Sequence, residues 1–206
     1  MALEVMLLDT KDMKWEQAVL LADKVSQKRR ERILRFRKDE DKLICTMTGF
    51  LIRKVISEKL GISFDKIDFE YNKYGKPHLK GFPDYHFSVS HSGNLIVFVE
   101  SEKPVGIDTE KVTPMREGVM KRCFTENEKK YVKRDEDFFR IWTSKEAYVK
   151  MLGTGLSSSL KSFDVYDENI MKLLCHTVYE NYMITVCGEF SDNKKIIIKA
   201  MKNPLL

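Results

Sequence analysis

The chain has 206 residues, enough for one large domain or two small ones. Hydrophobic residues make up 43% and charged residues 33%, which excludes a wholly disordered polymer. Lys and Arg number 36 against 31 Asp and Glu, a net charge of +5 that suits anionic ligands or an acidic protein surface but does not by itself indicate nucleic acid.

Glu4 to Leu8 reads as a first strand, and Trp15 to Val25 carries apolar residues at helical spacing. Lys24 to Lys38 then holds eight basic residues and one acid, Glu31. Asp39 is placed to cap a long helix that runs to about Leu60 and stops at Gly61. Its middle, LICTMTGFLI, is apolar nearly all round, which predicts a buried spine for the first half. Strands are expected at Ile67 to Glu70, His86 to Ser90, Leu95 to Glu100 and Val105 to Asp108, with Ser92-Gly93-Asn94 as hairpin material. Arg116 to Cys123 reads as a helix, Thr125 to Lys133 opens on a capping box, and Asp137 to Leu152 is amphipathic and stopped by Gly153. The tail predicts strands near Phe163 to Tyr166, Leu174 to Tyr179, Met183 to Cys187 and Ile196 to Lys199. The pattern is α+β, with one internal boundary around Glu102 to Pro104. No stretch approaches the ~20 apolar residues that span a bilayer. The opening MALEVMLLDTKD lacks the layout of a secretory signal. Four scattered cysteines without a CxxC pair fit reduced thiols in a cytoplasmic protein.

Asp108 and Glu110 are two apart, so a continuing strand points both carboxylates to one face. Two such oxygen ligands, with a third from elsewhere, suit Mg2+; an exposed strand face is the plain alternative, and the same spacing recurs at Asp68 and Glu70. Glu146 is the candidate third ligand. Trp142, Glu146 and Lys150 are spaced by four and share a helical face, so a metal-binding carboxylate would lie one turn from a phosphate-binding lysine. A surface Glu–Lys pair is the competing reading. Ser88-Val89-Ser90-His91-Ser92-Gly93 offers hydroxyls, an imidazole and turn amides for a phosphate, or is merely a polar hairpin end. It does not match the G-x-S-x-G of a serine hydrolase. The basic stretch around Arg29 and Arg32 is a solvated helix face or a phosphate grip, and Glu128 is a helix-capping acid or a general base.

Taken in order, Gly75-Lys76-Pro77, Phe87 to Gly93, Gly106-Ile107-Asp108-Thr109-Glu110-Lys111, Trp142-Thr143-Ser144-Lys145-Glu146-Ala147, Lys150 and Gly153-Thr154-Gly155-Leu156 resemble the surfactin-type 4′-phosphopantetheinyl transferases. The resemblance runs from about Gln27 to Val165. It implies two similar halves related by pseudo-twofold symmetry, residues 1–103 and 104–206, each with helices packed on a small antiparallel sheet. It implies coenzyme A and Mg2+ in the cleft between them. The reaction implied moves phosphopantetheine to a serine of an acidic apo carrier protein and releases adenosine 3′,5′-bisphosphate. Carried over by position, Asp108, Glu110 and Glu146 become the metal ligands and Lys150 the diphosphate contact. Ser90 and His91 meet nucleotide phosphates, Lys76 lies by the adenine, Arg29 and Arg32 fall near the family's basic 3′-phosphate contacts, and Glu128 aligns with the proposed base for the carrier serine. Ile44 and Cys45 stand where relatives often place a basic residue and a hydroxyl. A cytoplasmic monomer that touches neither membrane nor nucleic acid is expected. The alternatives are a coenzyme A-binding relative without transfer and a basic nucleic-acid binder.

Overall fold

The computed structural model of the protein describes residues 3–155, 159–190 and 195–205. The first half runs β1 (Leu3–Asp9), α1 (Trp15–Ala18), α2 (Gln27–Arg35), α3 (Asp39–Leu60), β2 (Phe69–Tyr71), β3 (Pro77–Leu79), β4 (His86–Ser92) and β5 (Leu95–Ser101). The second runs β6 (Gly106–Lys111), α4 (Glu117–Cys123), α5 (Glu126–Tyr131), α6 (Asp135–Leu152), α7 (Glu168–Met171), β7 (Leu174–Tyr179) and β8 (Tyr182–Cys187). A last strand, β9 (Ile196–Ala200), follows.

Each half repeats one topology. A strand leads to a long helix and then to a hairpin whose second strand pairs with the first: β4-β5-β1 in one half, β7-β8-β6 in the other. Both long helices end on a left-handed glycine, Gly61 and Gly153, as a residue without Cβ at C′ allows. The first sheet departs from a purely antiparallel expectation. β9, read above as part of the second half, returns to pair in parallel with β1, from Leu3 opposite Ile196 to Leu7 opposite Ala200.

Strand alternation explains how the halves pack. On β1 and β5, Leu8, Ile96 and Phe98 face α3, where Met47, Leu51, Ile52 and Ile56 close the first core. Their neighbours Val5, Leu7, Val97 and Val99 face the other way and meet Ile107, Ile184 and Val186 of the second sheet. Met183 and Cys187 of β8 then turn to a third core with Phe138, Ile141 and Ala147 of α6. The order through the molecule is helix, sheet, sheet, helix, so the sheets of both halves are covered on both faces.

Three local expectations change. The Trp15 to Val25 segment is one α-turn followed by a 3-10 helix over Val19–Lys24. Asp39 is the first helical residue of α3 rather than its cap, and its carboxylate takes Lys42 at 2.7 Å. Phe163 to Tyr166 forms no strand, because its backbone serves a buried ion pair instead: Phe163 O accepts from Lys145 Nζ and Val165 N donates to Glu128.

Candidate active site

β4 and β6 lie side by side where the two sheets meet, and a ladder of serine side chains joins them. Ser88, Ser90 and Ser92 alternate along β4 and so share a face. Ser88 Oγ accepts from Ile107 N at 3.0 Å, Ser90 Oγ donates to Asp108 Oδ1 at 2.7 Å, and Ser92 Oγ donates to Glu110 Oε2 at 2.8 Å. On β6, Gly106, Asp108 and Glu110 share the face turned to α6. A Cβ at Gly106 would lie 2.0 Å from Ala147 O, so only glycine admits the helix this closely. That approach lets α6 deliver two donors. Lys150 Nζ reaches Asp108 Oδ1 at 2.7 Å and Ser90 Oγ at 2.8 Å, and Trp142 Nε1 donates to Glu110 Oε1 at 3.3 Å. Asp108, Ser90 and Lys150 therefore form one junction built from both halves.

Glu146, between Trp142 and Lys150 on that face, has its carboxyl held above the ordinary range. Burial is the main cause, with Asp108 and Glu110 adding to it and Lys150 opposing. Asp108 and Glu110 are thus near enough for their charge to act on Glu146. Among the described residues no group of three or more His, Cys, Asp or Glu side chains is arranged to hold a metal ion, and Lys150 takes one Asp108 oxygen. The other, Asp108 Oδ2, is buried without a hydrogen-bond partner. Such an orphaned carboxylate oxygen fits a hard cation, which takes oxygen ligands only.

Two hollows meet at Val89. The larger, of about 840 Å³, is lined by Arg29 and Arg32 of α2, Ile44, Cys45 and Thr48 of α3, and His91 beyond them. Arg29 crosses α3 at Gly49, where an added Cβ would lie 2.4 Å from its Cδ, and donates to Cys45 O at 3.2 Å. The surrounding protein, then Lys150 and Arg32, hold the His91 imidazole below its ordinary value. The Arg29 and Arg32 guanidiniums suit an anion, with Glu40 and Asp41 opposing them from α3, and a His91 imidazole favoured in its neutral form would meet it through one ring N–H. The smaller hollow, of about 290 Å³, is lined by Tyr74 to Pro77, Phe87, Glu146 and Lys150. Lys76, expected beside an adenine, lines it with its stem. Its ammonium is turned onto backbone carbonyls at the end of α6, Lys150 O at 2.6 Å and Met151 O at 3.1 Å.

Glu128, expected as a base, stands apart from this cluster. It is completely buried: Oε2 accepts from Thr125 N at 2.8 Å, and Oε1 accepts from Val165 N at 2.9 Å and Lys145 Nζ at 2.8 Å. The capping alternative is what the fold uses. Leu156, the last residue of the final motif, lies outside the described residues. Sequence reasoning offered Ser88 and Ser92 as phosphate-cradle hydroxyls rather than as the links from β4 to β6 that they are, and it missed Asn72. The alternation Ser88-x-Ser90-x-Ser92 was the available signal for the first two.

Known proteins decide the family. The profile described as 4′-phosphopantetheinyl transferase, N-terminal matches residues 11–103, and that of the 4′-phosphopantetheinyl transferase superfamily matches 104–196. The 4′-phosphopantetheinyl transferase ffp of Bacillus subtilis is 35% identical over 156 residues, 73% of this chain and 70% of its own length. The chain belongs to the 4′-phosphopantetheinyl transferase superfamily. Its relatives extend beyond Bacillus. The 4′-phosphopantetheinyl transferase gsp of Aneurinibacillus migulanus is 29% identical over 88% of this chain and 84% of its own. The human L-aminoadipate-semialdehyde dehydrogenase-phosphopantetheinyl transferase is 29% identical over 83% of this chain and 62% of its own.

Proposed function

We propose that this transferase moves the 4′-phosphopantetheine group from coenzyme A to a serine hydroxyl of an apo carrier protein, releasing adenosine 3′,5′-bisphosphate. The observation that carries the reading is the junction of Ser90, Asp108 and Lys150, contributed by both halves, with Lys150 lining the smaller hollow. Arg29, Arg32 and His91 would bind the nucleotide phosphates. Lys150 would meet the diphosphate, where its ammonium opposes the negative charge that develops as the bond to the leaving group breaks. Asp108, Glu110 and Glu146 would hold Mg2+, with Glu110 oriented by Ser92 and Trp142. When bound, the ion supplies Lewis-acid neutralisation of the diphosphate oxygens. The attacking oxygen belongs to the partner, so this chain needs no nucleophile. Glu128 has no share in proton transfer, because both its oxygens are engaged away from solvent.

The net charge of +5 would steer an acidic carrier. Exposed Arg116, Lys121 and Arg122 at α4 make that helix the proposed docking face. The four cysteines are reduced, which suits a reducing compartment, so the cytoplasm is the proposed location, with the protein acting as a monomer. The test is to incubate the protein with coenzyme A, Mg2+ and a panel of apo carriers and weigh the products. A phosphopantetheine adduct is expected, and Asp108→Ala should abolish it. Coenzyme A binding by calorimetry with no adduct on any carrier would leave only a binding protein.

A further inference from the structure

The turn before β3 does more than line the smaller hollow. Asn72 Oδ1 accepts from Tyr74 N and Lys76 N, both at 2.9 Å, which with Gly75 at φ +89° locks the turn in one shape. Asn72 Nδ2 then donates across to Gly153 O at 2.8 Å. Lys76 Nζ donates to Lys150 O at 2.6 Å, Met151 O at 3.1 Å and Val105 O at 3.3 Å. An ammonium has three N–H groups, and here all three are taken by backbone.

The acceptors explain why the contact exists. The last carbonyls of a helix have no partners within it, and the helix dipole makes that end negative. Gly153 N closes back on Val149 O, leaving the carbonyls of residues 150, 151 and 153 to outside donors, and the first half supplies them. Gly153 is also what lets the lysine pass, since a Cβ there would lie 2.9 Å from Lys76 Cδ. Val105 directly precedes β6. One ammonium thus ties the end of α6, which carries Glu146 and Lys150, to the root of the strand that carries Asp108 and Glu110.

We propose that Asn72 and Lys76 form a clamp from the first half that closes on the C-terminal end of α6 and positions Lys150 for catalysis. Lys150 is then held at both ends by first-half residues, its carbonyl by Lys76 and its ammonium by Ser90. The assignment makes Lys76 a positioning residue rather than a ligand contact. It rests on the reading of Lys150 as a diphosphate contact. Burial also holds the Lys76 ammonium down to about 8, against a small opposing pull from the Cys187 thiol on β8, and His86 on β4 feels its charge. The clamp therefore loses its charge as pH rises through about 8.

The experiment compares wild type, Lys76→Met, Lys76→Arg and Asn72→Ala in carrier loading with coenzyme A. Lys76→Met is expected to lower kcat about 10- to 100-fold, the cost of a displaced catalytic group, with KM for coenzyme A within about twofold. Wild-type kcat should fall above about pH 8, and Lys76→Arg should move that limb upward, because a guanidinium keeps its proton. Asn72→Ala, which leaves the charge in place, should lower kcat several-fold and covers the case in which Lys76→Met does not fold. A raised KM with unchanged kcat would overturn the clamp and make Lys76 a ligand contact. Unchanged kcat in both Lys76→Met and Asn72→Ala would overturn it outright. If wild type loads no carrier, the reading of the site has failed, and the clamp is read from Lys150 itself. After 13C reductive methylation, its NMR signal should shift in Lys76→Met, and an unmoved signal would sink the proposal.

Discussion

The carboxyl of Glu146 is held above its ordinary value first by burial, then by Asp108 and Glu110. A group that binds its proton more tightly in the folded state gives its full stabilisation below the unfolded pKa, about 4.3 for a glutamate. That stabilisation is lost as pH rises through the folded value. At neutral pH, therefore, Glu146 costs stability, as acids gathered for a cation do. Glu146→Gln is expected to stabilise the ligand-free protein by about 1 kcal/mol and raise Tm by about 2–4 °C. Transfer should fall by at least about 100-fold. Melting curves at pH 7 in EDTA, beside a loading assay, check both, and a lowered Tm would mean that Lys150 outweighs the two acids. His91 titrates with the opposite consequence. Its folded pKa lies below its unfolded one, so the unfolded chain binds more protons and stability falls as pH drops through about 6.5.

At the scale of elements, α5, α6 and the 159–165 segment are pinned by a single ion pair. Lys145 and Glu128 are both completely buried, and Lys145 Nζ also donates to Leu160 O and Phe163 O at 2.7 Å each. Removing one member strands the other charge in the interior, at a cost of about 3–5 kcal/mol. Glu128→Gln should therefore lower Tm by roughly 10 °C, at about 2–4 °C per kcal/mol, while kcat of the folded enzyme stays within a few-fold. A catalytic base would give the reverse, a lost kcat with an unmoved melting point. This pair also shows where sequence reading stops. α3 and α6 were legible because their apolar spacing and glycine stops are local signals. The irregular backbone of Phe163 to Tyr166 was not, because it is dictated by a lysine 18 residues upstream of Phe163. β3 was missed for a related reason: it is three residues long and exists only by pairing with β2.

Across the whole molecule, the chain repeats one topology and joins the two copies through side chains at the serine ladder as well as through an apolar layer. The faces of the proposed site residues were legible, since Asp108 and Glu110 share one side of β6 and Glu146 and Lys150 one side of α6 by periodicity alone. Which partner each side chain takes was not legible, because those contacts cross between halves. Ser90 lies 60 residues from Lys150 and Lys76 lies 74 from it, and no local pattern encodes such pairings. The same crossing is expected to make the two halves unfold together. Trp15 lies against the first core and Trp142 against the third, so single-tryptophan variants, Trp15→Phe and Trp142→Phe, report on the two halves separately. In the otherwise native chain both should give the same urea midpoint. Ser88→Ala leaves the buried Ile107 amide without its acceptor, at a cost of about 1–3 kcal/mol. Combined with Ser90→Ala, it should pull the two midpoints apart. Separate midpoints before any serine is removed would show that the apolar layer and the ladder together do not couple the halves.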